Sequence, residues 1–301
     1  MASKARLLIT GATGFTGVHA CKYFKKAGYE VIAVTRSYPS SVSDDRIHME
    51  QCNLTDKQQV KSLIQKTKPD KVIHLAGKNH VQESWSSPIT SFEANVLSTA
   101  FLIETIRQEN PLCKILIVGS ALQFDLGDIS TLQNPYSLSK TMQVLIAQSW
   151  KALYGMDILI AKPSNLIGPG PSNGICSILA KKTAEMELHG TERILTVNNL
   201  FAKRDFIDVR DAVRAYAKIL DVGESGKTYE VCSGKPRYLK EITDSLQALS
   251  IVNIEIQTLT NEVEKLDVAT HSLLGNLGWS PSISFEKSIE DILNYQRKIL
   301  L

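Results

Sequence analysis

Tyr136 and Lys140 stand four residues apart in NPYSLSK (134–140), behind a proline. Side chains at this spacing share one face of a helix. A phenol beside an ammonium there is either an exposed pair on a helix surface or a proton donor next to the charge that tunes it. Of the nine tyrosines, only Tyr136 has a lysine four residues on. A second stretch also carries chemistry. ITGATGFTG places Gly11, Gly14 and Gly17 near the N-terminus, where glycine permits a tight turn and close approach by a pyrophosphate. The start of a following helix would add unpaired N–H groups and the positive end of its dipole. Dinucleotide binding is the reading this placement supports; an unliganded glycine-rich loop is the alternative.

The elements that must position these residues are visible in the apolar pattern. RLLIT (6–10), EVIAVT (30–35), KVIHLA (71–76), KILIVGS (114–120) and DILIAK (157–162) read as strands. They lack polar alternation, so both faces should be buried, as in a parallel sheet covered by helices. Helical segments are expected near 15–27, 56–67, 88–108 and 136–154. The alternation predicts an α/β fold, a doubly wound parallel Rossmann sheet. After Lys162 the rhythm breaks in the loop PSNLIGPGPSNG (163–174). Helices near 175–188 and 208–221 follow, then a strand TYEVC (228–232), short pieces of both kinds and an amphipathic helix near 285–299. The expected division is a Rossmann domain over 1–162 plus about 204–232, and a smaller α/β domain over 163–203 and 233–301.

The totals exclude several classes. With 43% apolar and 22% charged residues in 301, the chain reads as an ordinary soluble globular protein. A net charge of +3 without a basic stripe gives no reason to expect a nucleic-acid partner. Five scattered cysteines without C-x-x-C suggest reduced thiols in the cytoplasm. The six histidines lack metal-ligand spacing, so no metal is expected. No apolar run reaches the length of a membrane span, and the apolar stretch of MASKARLLITGATG is too short for a signal peptide.

With G-x-x-G-x-x-G and Y-x-x-x-K both in place, the chain resembles the extended short-chain dehydrogenase/reductase family over nearly its whole length. HLAG (74–77), ESWSSPITSFEANVLST (83–99), LIGPGPSNG (166–174), RDFIDVRDAVRAY (204–216) and VCSGKP (231–236) resemble its sugar-nucleotide branch. The resemblance implies that Tyr136 is the general acid and base, and that Lys140 holds the cofactor ribose and tunes Tyr136. A unit charge ~4 Å from the phenol, at effective dielectric ~20, would contribute on the order of 4 kcal/mol, or about three pK units. That would bring the phenol toward neutrality, where proton transfer works best. Ser120 would complete the set by hydrogen bonding the substrate carbonyl; a serine capping a strand end is the plainer alternative. Cofactor contacts are implied for Gly11, Thr13, Gly14, Phe15, Thr16, Gly17, Arg36, Asn53, Leu54, Leu75, Ala76, Gly77, Tyr136, Lys140 and Pro163. The second strand ends in VTRS, without the acid that usually holds the ribose of NAD. Arg36 can pair with a 2′-phosphate, which favours NADP(H) over NAD(H).

Related 4,6-dehydratases carry acidic residues just after the Ser/Thr, whereas this chain has Ala121 and Leu122. Neither can move a proton, so the resemblance implies hydride transfer without elimination. That leaves an NADPH-dependent reductase of a nucleotide-linked 4-keto-6-deoxysugar, or an NAD-dependent epimerase; the missing acid after strand two favours the reductase. A non-catalytic NADP(H)-sensing protein is the other class. Asn165 and Arg204 match family positions near the substrate diphosphate, and Asn79 and His80 would touch the sugar. Arg204 paired with Asp205 or Asp208 is the structural alternative. The arginine common near the C-terminus of GDP-sugar relatives is missing from LTNE (259–262), with Lys265 a substitute, and ATHS (269–272) departs from their pattern. Both GDP-4-keto-6-deoxymannose and a UDP-linked 4-keto-6-deoxy-N-acetylhexosamine therefore stand as substrates. The resemblance also implies a homodimer through the helices near 88–108 and 136–154.

Overall fold

The computed structural model describes residues 5–37, 47–190, 193–260, 262 and 272–301. The chain divides into two compact units, one of residues 1–162 and 213–229, the other of 163–212 and 230–301.

The first unit opens with β1 (Arg6–Thr10), α1 (Phe15–Lys26), β2 (Glu30–Thr35), β3 (Ile47–Gln51), α2 (Lys57–Thr67) and β4 (Lys71–His74). Next come α3 (Val81–Ser86), α4 (Pro88–Phe92), a π-turn (Glu93–Leu97), α5 (Ser98–Glu109), β5 (Lys114–Val118), α6 (Pro135–Tyr154) and β6 (Ile158–Pro163). The seven-stranded sheet has the order β11-β6-β5-β4-β1-β2-β3, with β11 at Thr228–Val231. Every pairing from β3 across to β6 is parallel. The unbroken apolar runs predict this, because both faces are buried: Leu8, Ile32, Val72, Ile115 and Ile158 share one core with residues of α2, α5 and α6, and Leu7, Ile9, Val31, Ile73 and Leu116 on the other face are fully buried too. Two segments depart from expectation. β3 was not anticipated, because IHMEQ forms a half-exposed edge strand with polar residues interspersed. The helix expected over 88–108 is preceded by α3 and broken by the π-turn, a feature often found at functional sites.

The second unit contains β7 (Asn165–Ile167), α7 (Ile175–His189), β8 (Ile194–Asn199), β9 (Lys203–Arg204) and β10 (Phe206–Asp208). α8 (Val209–Val222) leads back into the first unit, and β11 follows. β12 (Arg237–Tyr238), α9 (Leu239–Leu249), β13 (Glu255–Thr260), α10 (Ser272–Asn276) and α11 (Phe285–Leu300) complete it. Its core joins Leu179 of α7, Leu195 of β8, Ile242 of α9 and Ile289 of α11.

RDFIDVRDAV proves to be a folding device within this unit. Asp205 accepts hydrogen bonds from the Ser164 hydroxyl (2.6 Å), both the N–H and hydroxyl of Ser233, and the Lys235 N–H. Asp208 accepts a bidentate pair from Arg210 and the Ser288 hydroxyl (2.7 Å). Asp211 accepts the N–H groups of Ser282 and Ile283, both at 2.8 Å. Each buried carboxylate is stabilised by several donors, which is what burial of a charge requires.

Candidate active site

The strand order reverses between β4 and β1, and the loops after these strands open at the crevice where doubly wound folds take their ligands. Gly11 follows β1 with φ +66°, and a Cβ there would lie 2.9 Å from the Ala76 nitrogen. At Gly17 a Cβ would lie 2.1 Å from the Gly11 carbonyl oxygen. The turn is thus closed on itself by backbone and leaves no room for side chains at either position. Gly14 caps α1, whose first turn carries no acidic residue. This cradle fits a pyrophosphate held on backbone N–H groups. Thr13 lies within 3.4 Å of Thr35 through their hydroxyls, and Phe15 and Thr16 begin α1.

Around the cradle, Arg36 is exposed just beyond β2, and its carbonyl accepts from Gln51 of β3. Asn53 turns the chain into α2, its side chain accepting from the Thr55 N–H and hydroxyl, while Leu54 is buried. Leu75, Ala76 and Gly77 follow β4. The N–H groups of Leu75 and Ala76 both donate to the Thr10 hydroxyl oxygen at 3.1 Å. Gly77 has a separate reason to be glycine, since a Cβ would lie 2.5 Å from Asn95 Oδ1. Asn79 and His80 are exposed on the loop into α3.

Ser120, Tyr136 and Lys140 are all buried, so the pair is not a helix-surface pair. Pro135 occupies the first turn of α6 and Asn134 caps it, accepting from the Ser137 N–H at 2.8 Å. The Tyr136 N–H, one of the groups a helix start leaves unpaired, donates to Ser84 Oγ of α3 at 3.1 Å. Sequence reading missed Ser84 as a positioning residue. It also missed Asn95, whose side-chain N–H₂ donates to the Lys78 carbonyl (3.0 Å) and Ser139 Oγ (2.9 Å). Both lie inside the family-like stretch 83–99, where their inward direction could not be read before the π-turn was seen.

The electrostatics correct the expected tuning. Burial raises the Tyr136 phenol above its ordinary value, opposed by a hydrogen bond with Ser120. The ammonium of Lys140 is not among the groups that lower it. Burial instead pushes Lys140 itself down to about 7. Its Nζ donates to the Val118 carbonyl at 2.8 Å and to Gln143 Oε1. The Coulomb argument counted the attraction and left out the desolvation of both partners, which is the larger effect here.

In the second unit, Asn165 Nδ2 donates to the Asp205 carbonyl at 2.9 Å and Arg204 Nη1 to the Lys203 carbonyl at 2.7 Å. The carboxylate of Asp208 is engaged by Arg210. Pro163 ends β6. Lys265 and residues 269–271 lie outside the described residues. Among the described residues no helix is long and apolar enough to cross a membrane, and all five cysteines are buried and outside any disulfide.

Proton transfer beside a bound nicotinamide is the chemistry that Ser120, Tyr136 and Lys140 suit, and the class this defines is the extended short-chain dehydrogenases/reductases. Over residues 7–232 the chain matches the NAD dependent epimerase/dehydratase family, and it belongs to that family. It is 28% identical to the GDP-6-deoxy-D-mannose reductase of Pseudomonas aeruginosa, with 96% of each chain covered. It is 26% identical to the GDP-6-deoxy-D-talose 4-dehydrogenase of Aggregatibacter actinomycetemcomitans, over 84% of this chain and 82% of that one. Among solved structures, RMD from Pseudomonas aeruginosa complexed with NADPH superposes with a TM-score of 0.84 at 26% identity, covering 98% of this chain and all of that one.

Proposed function

We propose that the protein is an NADPH-dependent reductase of a nucleotide-linked 4-keto-6-deoxysugar, with GDP-4-keto-6-deoxymannose as the favoured substrate. The observation that carries this reading is the exposed pair Ala121 and Leu122 directly after buried Ser120. Neither of the two positions directly after the serine carries a proton-moving group, and Asp125 lies beyond Phe124, so the first unit suits hydride transfer and not elimination. The likeness to the reductase from Pseudomonas aeruginosa supports the GDP-linked form.

When bound, NADPH supplies the hydride. Ser120 holds the carbonyl oxygen, and Tyr136 gives that oxygen its proton as charge develops on it. Lys140 holds the nicotinamide ribose. Gly11, Thr13, Gly14, Phe15, Thr16 and Gly17 bind the pyrophosphate. Arg36 takes the 2′-phosphate, with Asn53, Leu54, Leu75, Ala76, Gly77 and Pro163 completing the cofactor contacts. Asn79 and His80 touch the sugar. In the second unit Asn165 and Arg204 hold the nucleotide diphosphate, a guanidinium being suited to phosphate oxygens. The buried cysteines, none in a disulfide, suit a reducing cytoplasm.

The test is NADPH oxidation with GDP- and UDP-linked ketosugars made by the matching dehydratases. At least tenfold higher kcat/KM with the GDP sugar is expected. Preference for the UDP sugar would reassign the nucleotide. Sugar interconversion without net cofactor oxidation, with NAD co-purifying, would make the protein an epimerase. Arg36→Ala should weaken NADPH binding by about 10- to 100-fold, the equivalent of one charge-assisted contact, and leave NADH binding unchanged. Titration of each reduced cofactor by fluorescence checks this.

The homodimer reading comes from the family resemblance and is supported by apolar side chains left outside: Ile89 of α4, Leu97 of the π-turn, and Leu145 and Leu153 along α6. Leu145 and Leu153, eight apart, fall near one face of α6, the arrangement a helical interface needs. Leu145→Glu should convert a dimer to a monomer in sedimentation velocity. A wild-type monomer would remove the proposal.

A further inference from the structure

Lys140 stands at one end of a continuous buried line of polar side chains: Lys140, Gln143, Thr99, His74 and Thr10. The last four are fully buried. One proton assignment satisfies all of them. The Thr99 hydroxyl donates to the Asn95 carbonyl at 2.7 Å. Its oxygen is then the acceptor for Gln143 Nε2 at 3.0 Å and for His74 Nε2–H at 2.9 Å. That tautomer leaves His74 Nδ1 to accept the Thr10 hydroxyl at 2.8 Å. His74 stays neutral, since burial and then the charge of Lys140 push it down to about 3. An inverted Gln143 carboxamide would set its N–H₂ against the ammonium and its oxygen against the lone pairs of Thr99. The network therefore fixes which end of Gln143 meets Lys140.

Among the described residues no carboxylate hydrogen bonds to Lys140 or shifts it, burial being the one cause of its lowered pKa. Tyr136 and Gln143 lie on its own helix. β5 offers the Val118 carbonyl and β4 the neutral His74, while the α5 side offers Thr99. Two neutral oxygens, those of Val118 and Gln143, accept from the ammonium. Val118 contributes backbone, so Gln143 is the one acceptor set by a side chain. We propose that Gln143 is a positioning residue of the hydride-transfer site, holding the Lys140 ammonium so that its remaining N–H is available to the cofactor ribose. This deepens the role given to Lys140 above and rests on it.

The test reads Lys140 in the cofactor-free protein, by NMR titration of lysine ¹³Cε resonances assigned with Lys140→Met. Removing a hydrogen bond to a charged group in Gln143→Met should lower the Lys140 midpoint by about one pH unit or more. Gln143→Glu supplies an anion and should raise it by a similar amount. Should the glutamate variant fold poorly, Thr99→Val removes the brace and is expected to lower the midpoint by less than Gln143→Met does. The pH above which NADPH affinity declines should move in the same order. A purely structural role would reduce the melting temperature of both Gln143 variants without opposite shifts. Midpoints that stay put, or that move the same way in both variants, overturn the inference. Because the NMR titration needs neither cofactor nor sugar, its failure is distinguishable from a wrong substrate.

Discussion

Tyr136→Phe should bind NADPH normally and reduce the ketosugar at least 10²- to 10⁴-fold more slowly, the range associated with one general acid. The substitution removes a hydroxyl and keeps the buried ring at the start of α6. Ser120 loses one partner and retains the Leu122 N–H at 3.1 Å, so the stability cost should be about 1 kcal/mol. Single-turnover oxidation of NADPH separates the chemical step from product release, and a thermal melt checks the fold. A variant within tenfold of wild type in the chemical step would remove Tyr136 from the mechanism and leave the protein closer to an NADP(H)-binding sensor.

The pH profile should report Lys140 before it reports Tyr136. Reduction requires the phenol to keep its proton, and burial raises its pKa, so it remains protonated through the neutral range. Lys140, pushed down to about 7, is the first of the two to lose a proton as pH rises. In the reducing direction kcat/KM, which reflects the free enzyme, should therefore fall on the alkaline side with an apparent pKa near that of Lys140. The alternative outcome, a rate that rises with pH through neutrality, would mean that the deprotonated tyrosine or lysine is the active form.

The sheet was legible because β1, β2, β4, β5 and β6 are apolar on both faces and alternate with helical segments, the pattern of a covered parallel sheet. β3 was not, because an edge strand buries one side at most and its residues alternate irregularly. In the site, spacing alone placed Tyr136 and Lys140 on one face, and the strand–glycine–helix order placed the cradle. Charge tuning was not legible. It depends on how completely Lys140 is desolvated and on Val118 and Gln143 as its acceptors, which are facts of packing. Ser84 and Asn95 were hidden for a related reason. Both act through contacts between segments, and the π-turn that presents Asn95 leaves no periodic signature.

Gly17→Ala tests the cradle more severely than any change at a phosphate-facing side chain. A single methyl group at Gly17 would sit 2.1 Å from the Gly11 carbonyl oxygen and 2.7 Å from Ala12 backbone atoms. These neighbours are main chain and cannot rotate aside. Gly11 cannot retreat either, since it is in the left-handed region at φ +66° and lies against the backbone of Leu75 and Ala76. Relief must come from opening the turn between β1 and α1, which would move the N–H groups proposed to meet the pyrophosphate. Overpacking in a well-packed interior costs about 1–3 kcal/mol. A clash among backbone atoms belongs at or above the upper end, so a loss of roughly 3 kcal/mol is expected, with NADPH binding weakened by more than about 100-fold. Gly155→Ala is the control. It has φ +69° at the end of α6 with open space around it, so it should cost only about 1 kcal/mol and leave NADPH binding intact. Thermal melts with and without NADPH separate the two effects. If Gly17→Ala melted with the Gly155 control and kept its affinity, the turn would be looser than its geometry states, and the cofactor site would have to be sought elsewhere.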